Sequence, residues 1–300
     1  MKALVTGAGG FVGRHLVAHL RAAGDDVGVL DHEGDHPVDV NDSVGVAQAI
    51  GGRRPDAVYH LAAVSHVGES WADPERTWRV NTEGTLHVLR ACLDAGVARV
   101  LVVGSAEEYG PVDKDALPIT EDAPLRPVSP YSASKVGAEF LALQSFLGEG
   151  LPTLRVRAFN HTGPGQSPGF LIPALAGRIA AAEHEGRDEV AVGATDPVRD
   201  ITDVRDIVRA YRLLVERGVP GEVYNVCRGE GVSVAEVAQQ LLALAKRPLR
   251  LTVDPELVRP VDVPRLIGSP TKLNEATGWE PEIPLARTLA DVLDAARAAG

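Results

Sequence analysis

Apolar and polar positions in the first half of the chain follow two alternating patterns. Short runs rich in valine, leucine and alanine predict buried strands at residues 2–6, 26–30, 57–61, 99–103 and 153–157. Between them, apolar residues spaced three and four apart predict helices at 11–23, 44–50, 74–95 and 131–148. Strands that alternate with helices are typical of a parallel sheet covered on both faces. The pattern therefore predicts an α/β fold with a doubly wound parallel sheet.

The pattern loosens after residue 158. Three glycines and two prolines within residues 160–169 favour a loop there. Helices are predicted again at 201–217 and 233–245, with a strand at 222–226 and mostly loops through 249–284. We interpret residues 1–158 plus about 201–224 as the doubly wound domain. Residues 159–200 plus 225–300 are interpreted as a smaller C-terminal domain that binds a substrate.

Composition narrows the class of protein. The chain has 300 residues and a formal net charge of −11, which argues against a nucleic-acid partner. Its two cysteines, Cys92 and Cys227, are too few for a disulfide framework or a metal cluster, so no metal is expected. No apolar run approaches the roughly 20 residues that span a bilayer. Since the first strand pattern begins at Lys2, we expect no signal peptide and a cytoplasmic protein without a membrane partner.

A glycine-rich turn joins the first predicted strand to the first helix. Gly7, Gly10 and Gly13 have the spacing G-x-x-G-x-x-G. Glycines at such a turn let the backbone approach a pyrophosphate, and the helix N-terminus offers free N–H groups to it. Within a strand–helix–strand unit, the motif predicts a Rossmann-type sheet that binds a dinucleotide.

The end of the second predicted strand carries Asp31. A carboxylate there can accept hydrogen bonds from the adenosine ribose and repels a 2′-phosphate. No lysine or arginine lies between Arg21 and Arg53 to neutralise that phosphate. The sequence therefore favours NAD(H), with NADP(H) as a possible cofactor; a solvated turn aspartate is the alternative interpretation of Asp31.

A tyrosine and a lysine lie four residues apart on one face of a predicted helix. The ammonium group of Lys135 next to Tyr131 is expected to lower the phenol pKa, as a general acid or base requires. An exposed helix pair is the alternative interpretation. Ser105 follows the fourth predicted strand, at the sheet edge where doubly wound folds bind ligands. Its hydroxyl can hydrogen-bond a substrate oxygen, although a lone serine is more often a cap or turn residue.

Four motifs together carry a family resemblance: Thr6-Gly7-x-x-Gly10-Phe11-x-Gly13, His60-Leu61-Ala62-Ala63, Gly104-Ser105 to Tyr109-Gly110, and Tyr131-x-x-x-Lys135. In these the chain resembles the extended short-chain dehydrogenase/reductases, which are nucleotide-sugar epimerases, dehydratases and reductases. The resemblance implies that Ser105, Tyr131 and Lys135 form the catalytic set, with Glu107 beside them. It also implies a cofactor-binding set of Gly7, Gly10, Phe11, Val12, Gly13, Asp31, Asp39, Val40, Leu61, Ala62, Ala63, Asn81, Tyr131 and Lys135.

The second half of the chain narrows the resemblance. The run Arg157-Ala-Phe-Asn-His-Thr-Gly-Pro-Gly-Gln-Ser-Pro168 and the arginine blocks that begin at Arg199 and Arg259 are similar to the GDP-4-dehydro-6-deoxy-D-mannose reductases. The GDP-mannose 4,6-dehydratases are their close relatives. The resemblance implies that a nucleotide-diphosphate sugar, with a GDP-sugar favoured, is bound by Ser65, Glu107, Asn160, Arg199, Arg259 and Asp262. It further implies a homodimer through a four-helix bundle formed by helices 74–95 and 131–148.

The reaction itself stays open between related types. A dehydratase needs carboxylate chemistry beside the serine or threonine, and Ala106 removes one polar position there while Glu107 remains. Reduction of a 4-keto-6-deoxy nucleotide sugar, giving GDP-D-rhamnose, is the favoured interpretation. An NAD-dependent 4-epimerase or 4,6-dehydratase is the alternative. A non-catalytic nucleotide-sensing protein on the same fold is a remote one, since both Tyr131 and Lys135 are present.

Overall fold

Two groups of strands make up the sheets of the protein. The computed structural model describes residues 1–33, 37–257 and 263–299. The strands are β1 (Lys2–Thr6), β2 (Asp26–Leu30), β3 (Ala57–His60), β4 (Arg99–Ser105), β5 (Thr153–Ala158), β6 (Asn160–Thr162), β7 (Glu189–Val192), β8 (Val198–Asp203), β9 (Val223–Val226), β10 (Gly231–Ser233), β11 (Arg250–Val253) and β12 (Arg265–Leu266). A six-stranded parallel sheet has the order β2-β1-β3-β4-β5-β9, which confirms the predicted fold class.

Helices cover both faces of this sheet. They are α1 (Phe11–Ala22), α2 (Ser43–Arg53), α3 (Val67–Ala72), α4 (Pro74–Trp78), α5 (Gly84–Ala95), α6 (Pro130–Glu149), α7 (Leu171–Glu185), α8 (Val204–Arg217), α9 (Val234–Ala243), α10 (Thr271–Thr277) and α11 (Leu285–Ala299). One core cluster joins the sheet to α1 and α8 through residues such as Leu16 and Leu214. A second, with Ile50, Leu89 and Ala142, joins it to α2, α5 and α6. Because both faces of the sheet are buried, its strands appear in the sequence as continuous runs of apolar residues.

The order in which strands are added to the sheet reverses at β1. From β1 the chain crosses to β2 on one side, and β3 then pairs with β1 on the other side. The loops after β1 and β3 therefore diverge and leave a crevice at the carboxyl edge of the sheet. The glycine loop and residues Leu61–Ala63 border this crevice, so the fold places two of the sequence motifs side by side.

A second region packs against that edge. Strand β8 pairs with β6, β10 and β12, while β7 pairs with β11. Its core joins α7, α9 and α11 through side chains such as Leu175, Leu241 and Leu289. Helix α8 leaves the end of β8 and returns to the six-stranded sheet, so the two regions are joined by one continuous strand–helix connection.

Several predicted elements differ from the structure. The helix predicted at 201–217 was wrong at its start, because residues 201–203 complete β8 and Asp203 caps α8 by accepting a 2.8 Å hydrogen bond from the Arg205 N–H. The loop predicted at 160–169 begins with the short strand β6. The long helix predicted at 74–95 is α4 and α5 joined by a π-helical turn at Arg79–Glu83. Helices α7 and α11 lack a sequence prediction.

Three further observations concern membranes, metals and cysteines. Within the described residues, each helix is too short or too polar to cross a bilayer. The same residues hold no group of three or more histidine, cysteine or acidic side chains arranged for a metal ion. Cys92 and Cys227 are both buried and reduced.

Candidate active site

The glycine loop is shaped by close backbone contacts. Gly7 has a φ of +68°, and a Cβ on it would lie 2.7 Å from the Ala62 N. A Cβ on Gly13 would lie 2.1 Å from the Gly7 O. Side chains at these two positions are therefore excluded by the backbone itself. The loop leads into the N-terminus of α1, whose first N–H groups have no partner within the helix. A backbone cradle of this form suits the pyrophosphate of a dinucleotide.

A buried histidine fixes the neighbouring loop after β3. His60 lies between two threonine hydroxyls, with Nδ1 2.8 Å from Thr6 Oγ1 and Nε2 2.9 Å from Thr85 Oγ1. Because Thr85 donates its proton to the Asn81 O, it must accept one from His60 Nε2. Thr6 Oγ1 in turn accepts from the N–H groups of Leu61 and Ala62. Burial lowers the pKa of His60 to about 3, so the ring is neutral and holds both loops in register.

Asp31 is bound to the glycine loop rather than solvated. Its Oδ2 accepts a 2.7 Å hydrogen bond from the Gly9 N–H, and its side chain is only 12% exposed. The carboxylate lines the cleft at the end of β2. This placement is the one expected of a group that meets an adenosine ribose.

The serine, tyrosine and lysine singled out by the sequence meet at the carboxyl edge of β4. Tyr131 lies beside Ser105, whose Oγ accepts a hydrogen bond from the Glu107 N–H at 3.2 Å. Lys135 lies one turn further along α6 and donates from Nζ to the Val103 O at 2.8 Å. All three are less than one-tenth exposed. A serine, a tyrosine and a lysine in this arrangement can transfer a proton to an oxygen bound beside them.

The titration of this trio differs from the sequence expectation. Burial raises the pKa of Tyr131 well above its usual value, and the neighbouring Ser105 hydroxyl opposes part of that rise. The expected lowering of the phenol pKa by Lys135 was therefore wrong for this arrangement, in which the ammonium group is engaged by Val103. Burial lowers the pKa of Lys135 itself to about 8. Tyr131 is consequently held as a neutral phenol, the form that donates a proton.

Most predicted site residues border one cleft of about 1260 Å³ between the two regions. Those that line it are Gly7, Gly10, Phe11, Val12, Gly13, Asp31, Asp39, Val40, Leu61, Ala62, Ala63, Ser65, Ser105, Glu107, Tyr131, Lys135, Asn160 and Arg199. Asn81 is buried behind it instead. Its amide bonds Val64 N and O and the Ser134 hydroxyl, and so ties the loop after β3 to α6. Arg259 and Asp262 lie outside the described residues.

The far wall of the cleft contains cationic side chains. Arg199 projects from β8, and Arg178 from α7 donates to the Ala191 O at 3.1 Å. Arg76 and Arg79 line the same cleft from the other region. Arginine forks match phosphate oxygens, so this wall suits a diphosphate. Sequence reasoning missed Arg178, Arg76 and Arg79, because it left α7 unassigned and took only Asn81 from the helix predicted at 74–95.

Contacts also join the two regions across the cleft. His66 Nδ1 accepts from the Glu69 N–H, and its Nε2 lies 3.2 Å from the Gly169 O. At the glycine loop, Arg14 donates to both the Gly9 O and the Gly165 O. His66 is therefore a link between the cap of α3 and the loop before α7.

Comparisons with known proteins agree with this geometry. The family model described as GDP-mannose 4,6 dehydratase matches residues 4–292. A curated relative, GDP-6-deoxy-D-mannose reductase of Pseudomonas aeruginosa, is 38% identical over 96% of this chain and 95% of its own.

Two solved structures are similar over the full length of both chains. RMD from Pseudomonas aeruginosa, complexed with NADPH, has a TM-score of 0.91 at 36% identity. UDP-glucose 4-epimerase of Thermus thermophilus, complexed with NAD, has a TM-score of 0.90 at 31% identity. The predicted family resemblance and the prediction of an enzyme are thereby confirmed. Given a family model that matches nearly the whole sequence, the chain belongs to the GDP-mannose 4,6 dehydratase family of nucleotide-sugar enzymes.

Proposed function

We propose that this protein is an NAD(P)H-dependent reductase of a 4-keto-6-deoxy nucleotide sugar, and that it converts GDP-4-keto-6-deoxy-D-mannose into GDP-D-rhamnose. The observation that carries the proposal is that Ser105, Tyr131 and Lys135 lie together, nearly buried, on the wall of the cleft, where burial keeps Tyr131 a neutral phenol. A neutral phenol is the proton donor that ketone reduction requires. The relative named GDP-6-deoxy-D-mannose reductase supports the same reaction.

Each member of the trio has a distinct task in this reaction. When bound, a reduced nicotinamide supplies the hydride that reaches C4 of the sugar. Tyr131 donates its proton to the oxygen that develops negative charge at C4, and Ser105 hydrogen-bonds that oxygen. Lys135 would hold the nicotinamide ribose through its ammonium group. Glu107, which lines the cleft beside Ser105, contacts the sugar.

The cofactor and the sugar occupy opposite sides of the cleft. The glycine loop, Asp31, Asp39, Val40 and the Leu61–Ala63 loop hold the dinucleotide, with Asn81 behind them. Ser65, Asn160, Arg199, Arg259 and Asp262 hold the nucleotide sugar, together with Arg178. The division into residues 1–158 plus 201–224 and residues 159–200 plus 225–300 corresponds to these two binding roles.

Asp31 favours NADH over NADPH. The solved relative from Pseudomonas aeruginosa contains NADPH, whereas the epimerase contains NAD, so the family accommodates both. In this chain the Asp31 carboxylate faces the cleft and would repel a 2′-phosphate. Asp31→Asn is expected to raise the affinity for NADPH relative to NADH about tenfold, or about 1.4 kcal/mol. Titration of both cofactors into both proteins measures this ratio, and an unchanged ratio would contradict the role of Asp31.

A homodimer fits the surface of α4 and α6. Trp78 is 45%, Phe140 54% and Leu147 73% exposed on these two helices. Large apolar side chains gathered on neighbouring helices are typical of an interface. We expect the four-helix bundle there, and the two buried cysteines are consistent with the reducing cytoplasm.

A second reaction is supported by the similarity to the NAD-bound epimerase. An epimerase uses the same trio and recycles its cofactor, whereas a 4,6-dehydratase would in addition require acid–base chemistry from Glu107. The test is oxidation of NADH and of NADPH, followed by absorbance, with enzymatically prepared GDP-4-keto-6-deoxy-D-mannose. Stoichiometric consumption and a GDP-deoxyhexose product are expected. Absence of consumption, with NAD(H) released only on denaturation, would replace the reductase by the epimerase or dehydratase.

A further inference from the structure

A glutamate lies directly behind the catalytic serine. Glu108 is the third residue after Ser105, in the 3₁₀ turn Ala106–Tyr109, and its side chain is fully buried. Its Oε1 accepts a 2.7 Å hydrogen bond from the Ser105 N–H. The carboxyl group thus holds the backbone of the residue whose hydroxyl meets Tyr131.

The second oxygen of Glu108 needs a proton. Glu108 Oε2 accepts no hydrogen bond from the described residues, and the nearest cation, Arg157 Nε, is 3.9 Å away. Arg157 instead forks onto Glu139 at 2.8 and 2.7 Å, and Arg155 adds a third bond at 3.2 Å. The remaining neighbour of Glu108 is the Glu139 carboxylate itself. Two buried carboxylates cannot both be ionised at this contact, but a carboxylic acid can donate to a carboxylate.

Electrostatics point to Glu108 as the group that carries the proton. Burial and the nearby charge of Glu139 raise the pKa of Glu108, while Arg157 lowers the pKa of Glu139. The other charged or titratable groups near Glu108 are Lys135 and Tyr131, together with Glu107, its neighbour in the 3₁₀ turn.

We propose that Glu108 is a positioning residue, whose protonated carboxyl group donates to Glu139 and accepts from the Ser105 N–H, and so fixes Ser105 against Tyr131. The chain of contacts runs from Arg157 on β5, through Glu139 on α6, to the turn after β4. These contacts fix the positions of three elements that contribute to the site relative to one another. A neutral Glu108 also avoids a negative charge beside Tyr131, which would further weaken the phenol as an acid.

Two substitutions of matched size separate this role from alternatives. Glu108→Gln keeps an acceptor for Ser105 and a donor for Glu139, without a charge. Glu108→Met keeps the volume but removes both hydrogen bonds. This test rests on the proposed reductase activity. E108Q is expected to retain most of the wild-type kcat. E108M is expected to lose about 10- to 100-fold in kcat with little change in KM, because Ser105 is misplaced while the sugar side is intact.

A merely structural or ionised Glu108 would give other results. If Glu108 only stabilised the fold, E108M would show a lower unfolding temperature and an unchanged kcat per folded enzyme. If Glu108 were an anion paired with Arg157, E108Q would be as impaired as E108M. Either result would overturn the proposal.

Infrared difference spectroscopy tests the proton without any activity. The difference between wild type and E108Q at neutral pH is expected to contain the C=O band of a neutral carboxylic acid, shifted in D2O. A carboxylate band in its place would reject the protonated Glu108. Because this measurement needs no substrate, it stands even if wild-type enzyme fails to reduce the 4-keto sugar, a result that would contradict the proposed function alone.

Discussion

The two walls of the cleft are built in different ways. On the dinucleotide side, shape comes from backbone: Gly7 and Gly13 leave no room for a Cβ, and His60 locks the adjoining loop from within the core. On the wall that we propose binds the sugar, the ligand meets long side chains such as Arg178 and Arg199, which reach the cleft from α7 and β8. A backbone cradle accepts one kind of ligand, whereas arginine side chains can adapt to several nucleotide sugars. This difference matches a family that shares a cofactor class but acts on different sugars.

The largest expected effect belongs to the trio between the two walls. Tyr131→Phe removes the proton donor and is expected to lower kcat about 10²- to 10⁴-fold. Binding of NADH should be nearly unchanged, because the glycine loop is intact. Steady-state rates and a fluorescence titration with NADH measure the two quantities. Equal activity in the variant would end the assignment of Tyr131.

A substitution in the backbone cradle should damage the dinucleotide wall next most severely. Gly7→Ala places a Cβ 2.7 Å from the Ala62 N in a backbone with φ of +68°. We expect a large loss of NADH affinity together with a loss of about 1–3 kcal/mol in the free energy of unfolding. The matched control is Gly51→Ala in α2, where a Cβ meets nothing within 4 Å. Equal behaviour of the two variants would show that the cradle tolerates a side chain.

A smaller effect is expected on the sugar wall. Arg178→Met keeps much of the side-chain length but removes the charge that we propose binds the diphosphate. We expect KM for the nucleotide sugar to rise about tenfold, or about 1.4 kcal/mol, with no change in NADH affinity. Arg187→Met, an exposed position paired with Glu185 outside the cleft, is the control. A change in NADH affinity without a change in KM would contradict the separation of the two walls.

The effect that is smallest at neutral pH, and grows as the protein is acidified, comes from His60. His60 has a pKa of about 3 in the fold and about 6.5 in the unfolded chain, so the unfolded state binds more protons below pH 6.5. Stability is therefore expected to fall by up to about 1.4 kcal/mol for each pH unit between 6.5 and 3. Urea unfolding at several pH values measures the slope. His60→Gln should flatten it, and the exposed His184→Gln should not; an unchanged slope in H60Q would assign the acid sensitivity elsewhere.

The sequence could predict geometry that depends on residues close together in the chain, but not properties that depend on contacts between distant segments. Gly7, Gly13, Tyr131 and Lys135 were found because their spacing within one turn or one helix already defines their geometry. The high pKa of Tyr131 was not foreseen, since it depends on burial by elements far apart in the chain.

For three other features that the sequence analysis did not predict, the local sequence pattern was informative in one case and weak or absent in the other two. Asp203 is a helix cap, and such a residue before Val204 could have separated β8 from α8. Helix α7 mixes small and apolar residues on several faces, so its periodicity is weak and Arg178 had no recognisable context. The placement of Asn81 behind the cleft depends on the packing of the π-helical turn Arg79–Glu83 against α6, which spacing alone does not reveal.

The regular spacing of site residues along α6 limits which in-frame deletions the protein can tolerate. Tyr131, Lys135 and Glu139 occupy successive turns of one helical face. Deletion of a single codon between them would rotate every later side chain by about 100° and shift it by about 1.5 Å. Tyr131 and Lys135 could then no longer both face the cleft, although the reading frame and nearly all of the composition would be preserved. In a library of in-frame deletions, the segment from 131 to 139 should therefore be depleted far more strongly than the exposed end of the same helix around Leu147.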